Sequence, residues 1–69
     1  NKYASVEKEI SKQEQLLAEI REKENDEAIL SDYVALNALF EEEKLTLKKI
    51  DELYRELEEL ENYISENEE

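Results

Sequence analysis

Residues Ala28–Phe40 read AILSDYVALNALF and are the most apolar part of the chain. At about 100° per residue of an α-helix, their apolar side chains fall on two sides of the helix. One face, continued along the helix, carries Ile29, Tyr33, Leu36, Phe40, Leu47 and Tyr54. The opposite face carries Leu30, Val34, Ala38 and Leu45. A helix that is apolar on two sides is typical of the inner helix of a bundle, so this segment predicts an all-α fold.

Two stretches of the chain carry apolar residues at the alternating three- and four-residue spacing of a heptad repeat. The first stretch places Tyr3, Ile10 and Leu17 at position a, and Val6, Gln13 and Ile20 at position d. The second stretch contains Ile50, Leu53, Leu57, Leu60 and Ile64, and read backwards it reaches Leu36 and Ile29. Both patterns predict helices that bury one narrow apolar face.

The two heptad patterns do not share one register. Continuing the first pattern predicts core positions at Glu24 and Ser31, whereas the second pattern places the core at Ile29. At about 100° per residue, the two apolar faces lie roughly 140° apart where they meet. One unbroken apolar stripe along the whole chain is therefore excluded.

One interpretation is a helical hairpin within a single module of residues 1–69. Its first helix covers about residues 2–24, a turn falls within 23–27, and its second helix covers about 27–66. The first helix then packs through Val6, Ile10, Leu17 and Ile20 against Leu30, Val34, Ala38 and Leu45. The other face of the second helix is left for another copy, which predicts a four-helix bundle. The predicted oligomer interface contains Ile29, Tyr33, Leu36, Phe40, Leu47, Ile50, Leu53, Tyr54, Leu57, Leu60 and Ile64.

The competing interpretation is one continuous helix that dimerises along its length. At about 1.5 Å per residue, such a rod is roughly 100 Å long. It is favoured by the lack of glycine, because only Asn25 and Asp26 offer turn and cap chemistry near the proposed corner. In both interpretations Gln13, Glu43 and Thr46 are polar residues within the apolar stripes. Such residues fix register and partner number in coiled coils by penalising the alternatives.

The composition argues against catalysis and against bound cofactors. The chain has no His, Cys, Gly or Pro, so it lacks the usual general base, the thiolate nucleophile and the glycine loop that cradles a phosphate. The acidic triplet Glu41–Glu43 has neither the loop spacing nor the glycine of a calcium-binding hand. We therefore expect no enzyme activity, no cofactor and no metal site.

The charge of the chain restricts its partners. Nine basic and twenty-one acidic residues give a formal net charge of −12 at pH 7, which argues against nucleic acid and against an anionic membrane. No apolar run is long enough to cross a membrane. A neutral or basic protein surface is the expected partner. The lack of cysteine is compatible with any compartment, and an intracellular one is favoured.

These observations predict a structural oligomerisation or protein–protein interaction module, most simply a homodimer. A chain of 69 residues without disulfides or metal rarely builds a sufficient core alone. One alternative is an adaptor or chaperone-like helical module that binds a basic protein. A further alternative is a surface-exposed coiled-coil rod.

Overall fold

The computed structural model describes the backbone of residues 1–67 and the side chains of residues 1–64. Three helices follow one another: α1 (Lys2–Glu24), the single-turn α2 (Glu27–Leu30) and α3 (Tyr33–Asn67). The molecule measures 57 × 14 × 13 Å, so it is much shorter than a continuous rod and only about two helices wide. The predicted all-α fold and its hairpin form are confirmed, and the continuous rod is wrong.

Helix α1 is closed at both ends by side chains. The Asn1 side-chain oxygen accepts a hydrogen bond from the Ala4 backbone N–H at 2.8 Å, which satisfies one of the free donors of the first turn. Arg21 and Lys23 lie in the last turn, where positive charge is favourable beside the negative end of the helix dipole. The Asn25 side-chain amide donates to the Arg21 carbonyl at 3.1 Å, and α1 ends there.

The corner between the long helices is built from two aspartate caps instead of glycine. Asp26 accepts from the Ala28 N–H at 2.9 Å and begins α2, while Asp32 accepts from the Ala35 N–H at 3.2 Å and begins α3. Between them, the Ser31 hydroxyl donates to the Glu27 carbonyl at 2.8 Å. Residues 1–67 contain no positive φ angle, so the turn needs no residue with glycine's conformational freedom. The second predicted helix is therefore divided at Ser31 and Asp32.

Helix α1 runs antiparallel to the middle and distal parts of α3. Three polar contacts fix the alignment: Tyr3 reaches Glu61, Glu14 meets Tyr54, and Arg21 meets Glu43. As the α1 residue number rises along this series, the α3 number falls. The first helix therefore covers α3 from about residue 61 back to about residue 43, and α2 packs against the beginning of α3.

Most of the buried and half-buried side chains of the two long helices follow one heptad period and form the seam between them. In α1 they are Tyr3, Val6, Ile10, Gln13, Leu17, Ile20 and Glu24. In α3 they are Leu36, Leu39, Glu43, Thr46, Ile50, Leu53, Leu57 and Leu60. The antiparallel alignment sets Val6 opposite Leu57, Ile10 opposite Leu53, and Gln13 opposite Ile50. Each seam residue of α1 thus has a counterpart in α3 at the same height, as in an antiparallel coiled coil.

The predicted pairing of the two helices is wrong in register. Sequence analysis placed α1 against Leu30, Val34, Ala38 and Leu45, and each of these residues is exposed. The physical reason is the corner. Because α2 and the Ser31–Asp32 break reorient the chain, the roughly 140° offset between the stripes disappears and the two heptad faces meet directly. The segment Ile50–Ile64, which the predicted pairing left uncovered by the first helix, lies beside α1 as far as residue 61.

The polar seam residues satisfy their hydrogen bonds locally. The buried Gln13 amide donates to the Glu9 carboxylate at 3.0 Å, and the buried Thr46 hydroxyl donates to the Glu42 carbonyl at 2.7 Å. Neither group is left unpaired, so neither bears the full cost of desolvating a polar atom. Both nevertheless occupy positions where an apolar side chain would bury more surface.

We expect Gln13→Leu to raise the free energy of unfolding by about 1–2 kcal/mol, because it places an apolar side chain opposite Ile50 in a buried position. Chemical denaturation followed by circular dichroism measures this change. Gln15→Leu is the matched control, because Gln15 is exposed and lies away from the seam. An unchanged or lower stability for Gln13→Leu would contradict the described seam.

Candidate interaction surface

The two flanks of the α1–α3 seam differ in chemistry. One flank, here called the charged flank, contains ion pairs between Lys2 and Glu56 at 3.6 Å and between Glu9 and Lys49 at 3.9 Å. These side chains are at least one-third exposed, so each pair contributes little to stability and weakens in salt. The charged flank is a solvated surface.

The other flank is apolar on its α3 side, whereas its α1 side carries Glu14 and Arg21. The α3 side has a row of large side chains, one in every seventh position, which we call the apolar stripe: Tyr33, Phe40, Leu47 and Tyr54. Their exposed fractions are 76%, 48%, 42% and 47% respectively. Since residues seven apart in a helix lie on one face, the stripe is continuous over about 30 Å. The hairpin thus leaves one side of its longest helix apolar and uncovered.

Two tyrosines anchor the hairpin through carboxylates of the facing helix. The Tyr3 hydroxyl donates to Glu61 at 2.9 Å, and the Tyr54 hydroxyl donates to Glu14 at 3.2 Å. The hydrogen bond to Glu61 raises the pKa of Tyr3, and the negative charge of Glu14 raises the pKa of Tyr54. Both hydrogen bonds therefore contribute fully to the stability of the hairpin at pH values below the usual tyrosine pKa. This contribution is lost as the pH rises through the raised folded-state pKa values.

Three charged side chains meet at the end of the seam nearest the corner. Arg21 donates to Glu43 at 3.0 Å, and Glu24 lies beside this pair. The Glu24 Oε2 atom is shielded from solvent, and no side chain among the described residues donates a hydrogen bond to it. Desolvation is the main cause that raises the pKa of Glu24. The Glu43 charge and a hydrogen bond from the protonated Glu24 carboxyl to Glu43 raise it further, and Arg21 opposes the shift.

The charged form of Glu24 therefore weakens the hairpin near neutral pH. Because the pKa of Glu24 is raised in the folded state, protonation of Glu24 stabilises the hairpin. This stabilisation is fully present at pH values below the ordinary pKa of the unfolded state, near 4.3. It is lost as pH rises through the folded-state pKa.

We expect Glu24→Gln to stabilise the hairpin at pH 7 and to reduce the gain in stability on acidification from pH 7 to pH 5, because the amide carries no charge to desolvate. Thermal unfolding at the two pH values measures both effects. Glu22→Gln is the matched control, because it removes the same charge from an exposed position. Equal effects of the two substitutions would show that general charge reduction, and not the buried carboxylate, is responsible.

The structure separates the predicted interface residues into two groups. The first group lies in or near the seam and is partly covered within the chain: Ile29, Leu36, Ile50, Leu53, Leu57 and Leu60. The second group is exposed: Tyr33, Phe40, Leu47, Tyr54 and Ile64. Of the residues predicted for first-helix packing, Val6, Ile10 and Ile20 are buried and Leu17 is half-buried. Only residues of the second group retain two-fifths or more of their surface for another molecule.

Two features of this arrangement were not predicted from the sequence. Leu39 belongs to the seam, and its position three residues after Leu36 was the available signal. The Arg21–Glu43–Glu24 cluster depends on the alignment of the two helices, which no local pattern reveals. Glu43 was recognised as a polar residue within the second heptad pattern, but its ion pair with Arg21 was not predicted.

Neither a metal cluster nor a membrane-spanning helix is found among the described residues. No group of three or more metal-binding side chains lies close together there, and in the part of the chain searched no helix is long and apolar enough to cross a bilayer. One groove, with a volume of about 520 Å³, is lined by Lys2, Glu52, Arg55, Glu56, Glu59, Leu60 and Tyr63.

No family model, curated protein sequence or solved structure matches the chain.

Proposed function

We propose that this chain is an oligomerisation module that associates with further copies of itself through the apolar stripe. The observation that carries the proposal is the contrast between the two flanks of the seam. One flank bears exposed ion pairs such as Lys2–Glu56, whereas the other bears four large apolar or aromatic side chains in a single row. Tyrosine and phenylalanine supply much of the binding energy at protein interfaces.

The exposed surface of the lone hairpin supports association. The chain exposes 5602 Å², while the size scaling of folded monomers gives roughly 4,500 Å² for a protein of 8.2 kDa. The excess of about 1,000 Å² is comparable to the roughly 800 Å² that each partner buries in a standard interface. Burial within the chain is also limited, since the buried apolar residues are Val6, Ile10 and Ile20.

The stripe supplies a large part of the area that a stable contact needs. Large aromatic side chains bury about 150–250 Å² each when fully covered, and the four stripe residues are between 42% and 76% exposed. Covering them therefore removes on the order of 400 Å² per copy from water. The surface beside the stripe provides the remainder of an interface at the lower end of the usual size range.

We expect Phe40→Glu and Leu47→Glu each to shift the protein from oligomer to monomer by at least tenfold in dissociation constant, because each buries a charge in the proposed contact. Sedimentation equilibrium measures the change, and circular dichroism verifies that the helices persist. Leu45→Glu is the matched control. Leu45 is 65% exposed and lies on the face away from the stripe.

A wild-type protein that remains monomeric at micromolar concentration would overturn the proposal. Equal effects of Leu45→Glu and Leu47→Glu would also contradict it, because the association would then not depend on the stripe. Ile50 and Leu57 are unsuitable for this test, since they lie in the seam and a charge there would disrupt the hairpin itself.

A second candidate is a binder of a basic protein, and the charge distribution along α3 favours it. Six acidic residues and one basic residue, Arg55, lie between Asp51 and Glu61. Such a segment attracts a basic partner over about 8 Å at physiological ionic strength. Titration with a lysine-rich helical peptide at low and high salt tests this candidate. Binding that salt does not weaken, or no binding, would contradict it.

A further inference from the structure

The arrangement of the apolar stripe points to the geometry of the dimer. We infer that two hairpins pair antiparallel through their α3 helices about a two-fold axis between Glu43 and Lys44, with Tyr33 opposite the second copy's Tyr54 and Phe40 opposite its Leu47. This inference rests on the proposed self-association and adds its orientation and register.

The stripe is symmetric about its own centre. Its ends are both tyrosines, Tyr33 and Tyr54, and its inner positions are the bulky apolar residues Phe40 and Leu47. The four residues are evenly spaced by seven, so reversing the helix direction superimposes the row on itself. Two-fold dimers require a surface that is complementary to itself. An antiparallel pair meets that requirement with like-sized side chains at every level.

The charges along the stripe distinguish antiparallel from parallel pairing. The half of the stripe near the corner, residues 33–40, contains no charged residue. The distal half, residues 47–54, contains two basic and two acidic residues. On the side of α3 next to the stripe it has Asp51, and Tyr54 of the stripe is hydrogen-bonded to Glu14 of α1. In a parallel dimer each of these carboxylates faces its own copy. Such a contact is unfavourable, because like charges repel and the interface excludes the water that would screen them. An antiparallel dimer sets them against the uncharged half.

The centre of the stripe is also suited to a two-fold axis. Residues 41–49 contain three acidic and three basic side chains, so this section of α3 has no net charge. Glu43 is already paired with Arg21 of its own chain at 3.0 Å. At the proposed axis each Lys44 faces its own copy, and this single like-charge contact replaces the wider repulsion expected from a net charge of −12 per chain.

Antiparallel pairing gives Tyr33 a specific partner. In the free hairpin its side chain is 76% exposed. Opposite it in the dimer lies the second copy's Tyr54, whose hydroxyl donates to Glu14 of the same copy. A carboxylate accepts several hydrogen bonds, so Glu14 also serves as the acceptor for the Tyr33 hydroxyl across the interface.

Spin labels on single engineered cysteines test the register, because the chain has no cysteine of its own. The label sites are the exposed residues Asn37, Lys44 and Asp51, which lie seven apart on one face. For the antiparallel dimer we expect a short distance between Lys44 labels, near the spacing of neighbouring helices at about 10 Å. The Asn37 and Asp51 labels are each displaced by a further 20 Å or so along the axis.

The outcomes separate this inference from the proposed function. Three equal distances indicate a parallel dimer and overturn the antiparallel register while leaving self-association intact. A monomer in sedimentation equilibrium, with no dipolar coupling at any site, overturns both. Dilution with unlabelled protein is the control, since it must remove a coupling that arises between copies.

A substitution at Tyr33 tests the proposed hydrogen bond. We expect Tyr33→Phe to raise the dimer dissociation constant about thirtyfold, because the two-fold dimer loses two symmetry-related hydrogen bonds to charged acceptors. The same substitution in a Glu14→Gln background is expected to have a smaller effect. An equal effect in both backgrounds would overturn the contact between Tyr33 and Glu14.

Discussion

The structure depends on burying two narrow heptad faces against one another. Each face covers only one side of its helix, and neither helix has enough apolar surface to be stable without a neighbour. When the faces meet, Val6, Ile10 and Ile20 become buried and Leu53 and Leu57 become partly covered. The antiparallel direction, the position of the corner and the exposed surfaces all follow from this pairing.

The corner has to correct the rotational offset between the two faces. It does so with a single helical turn between two aspartate caps, Asp26 and Asp32. These caps satisfy backbone donors that would otherwise be free at the helix ends. A two-helix pairing nevertheless covers only one side of α3. The row from Tyr33 to Tyr54 remains outside the seam, which relates the fold to the proposed oligomerisation.

Much of this fold is predictable from the sequence because heptad spacing is a local property. The spacing identified the first seam from Tyr3 to Ile20, and it identified the distal seam from Ile50 to Leu60. It also identified Gln13 and Thr46 as polar residues within the stripes, and both are buried. These assignments need only the number of residues per helical turn.

The choice of the α3 face that packs against α1 was not predictable in the same way. It depends on the direction in which the chain leaves the corner, and the short helix Glu27–Leu30 reorients it. Without that helix, the apolar face containing Val34 and Leu45 is an equally reasonable partner for α1. The sequence placed the four residues of the apolar stripe on one face together with Ile29 and Leu36. Their separation from the seam follows only from the alignment of α1.

The most direct test of the account is the distance between spin labels at Lys12 and Glu52 in one chain, diluted with unlabelled protein so that only the intrachain distance is measured. Both residues are exposed, and the antiparallel seam places them at nearly the same height. The account predicts a distance within about 20 Å, set by two neighbouring helices and the label arms. A distance near 60 Å, which a continuous helix of about 1.5 Å per residue requires, would contradict it.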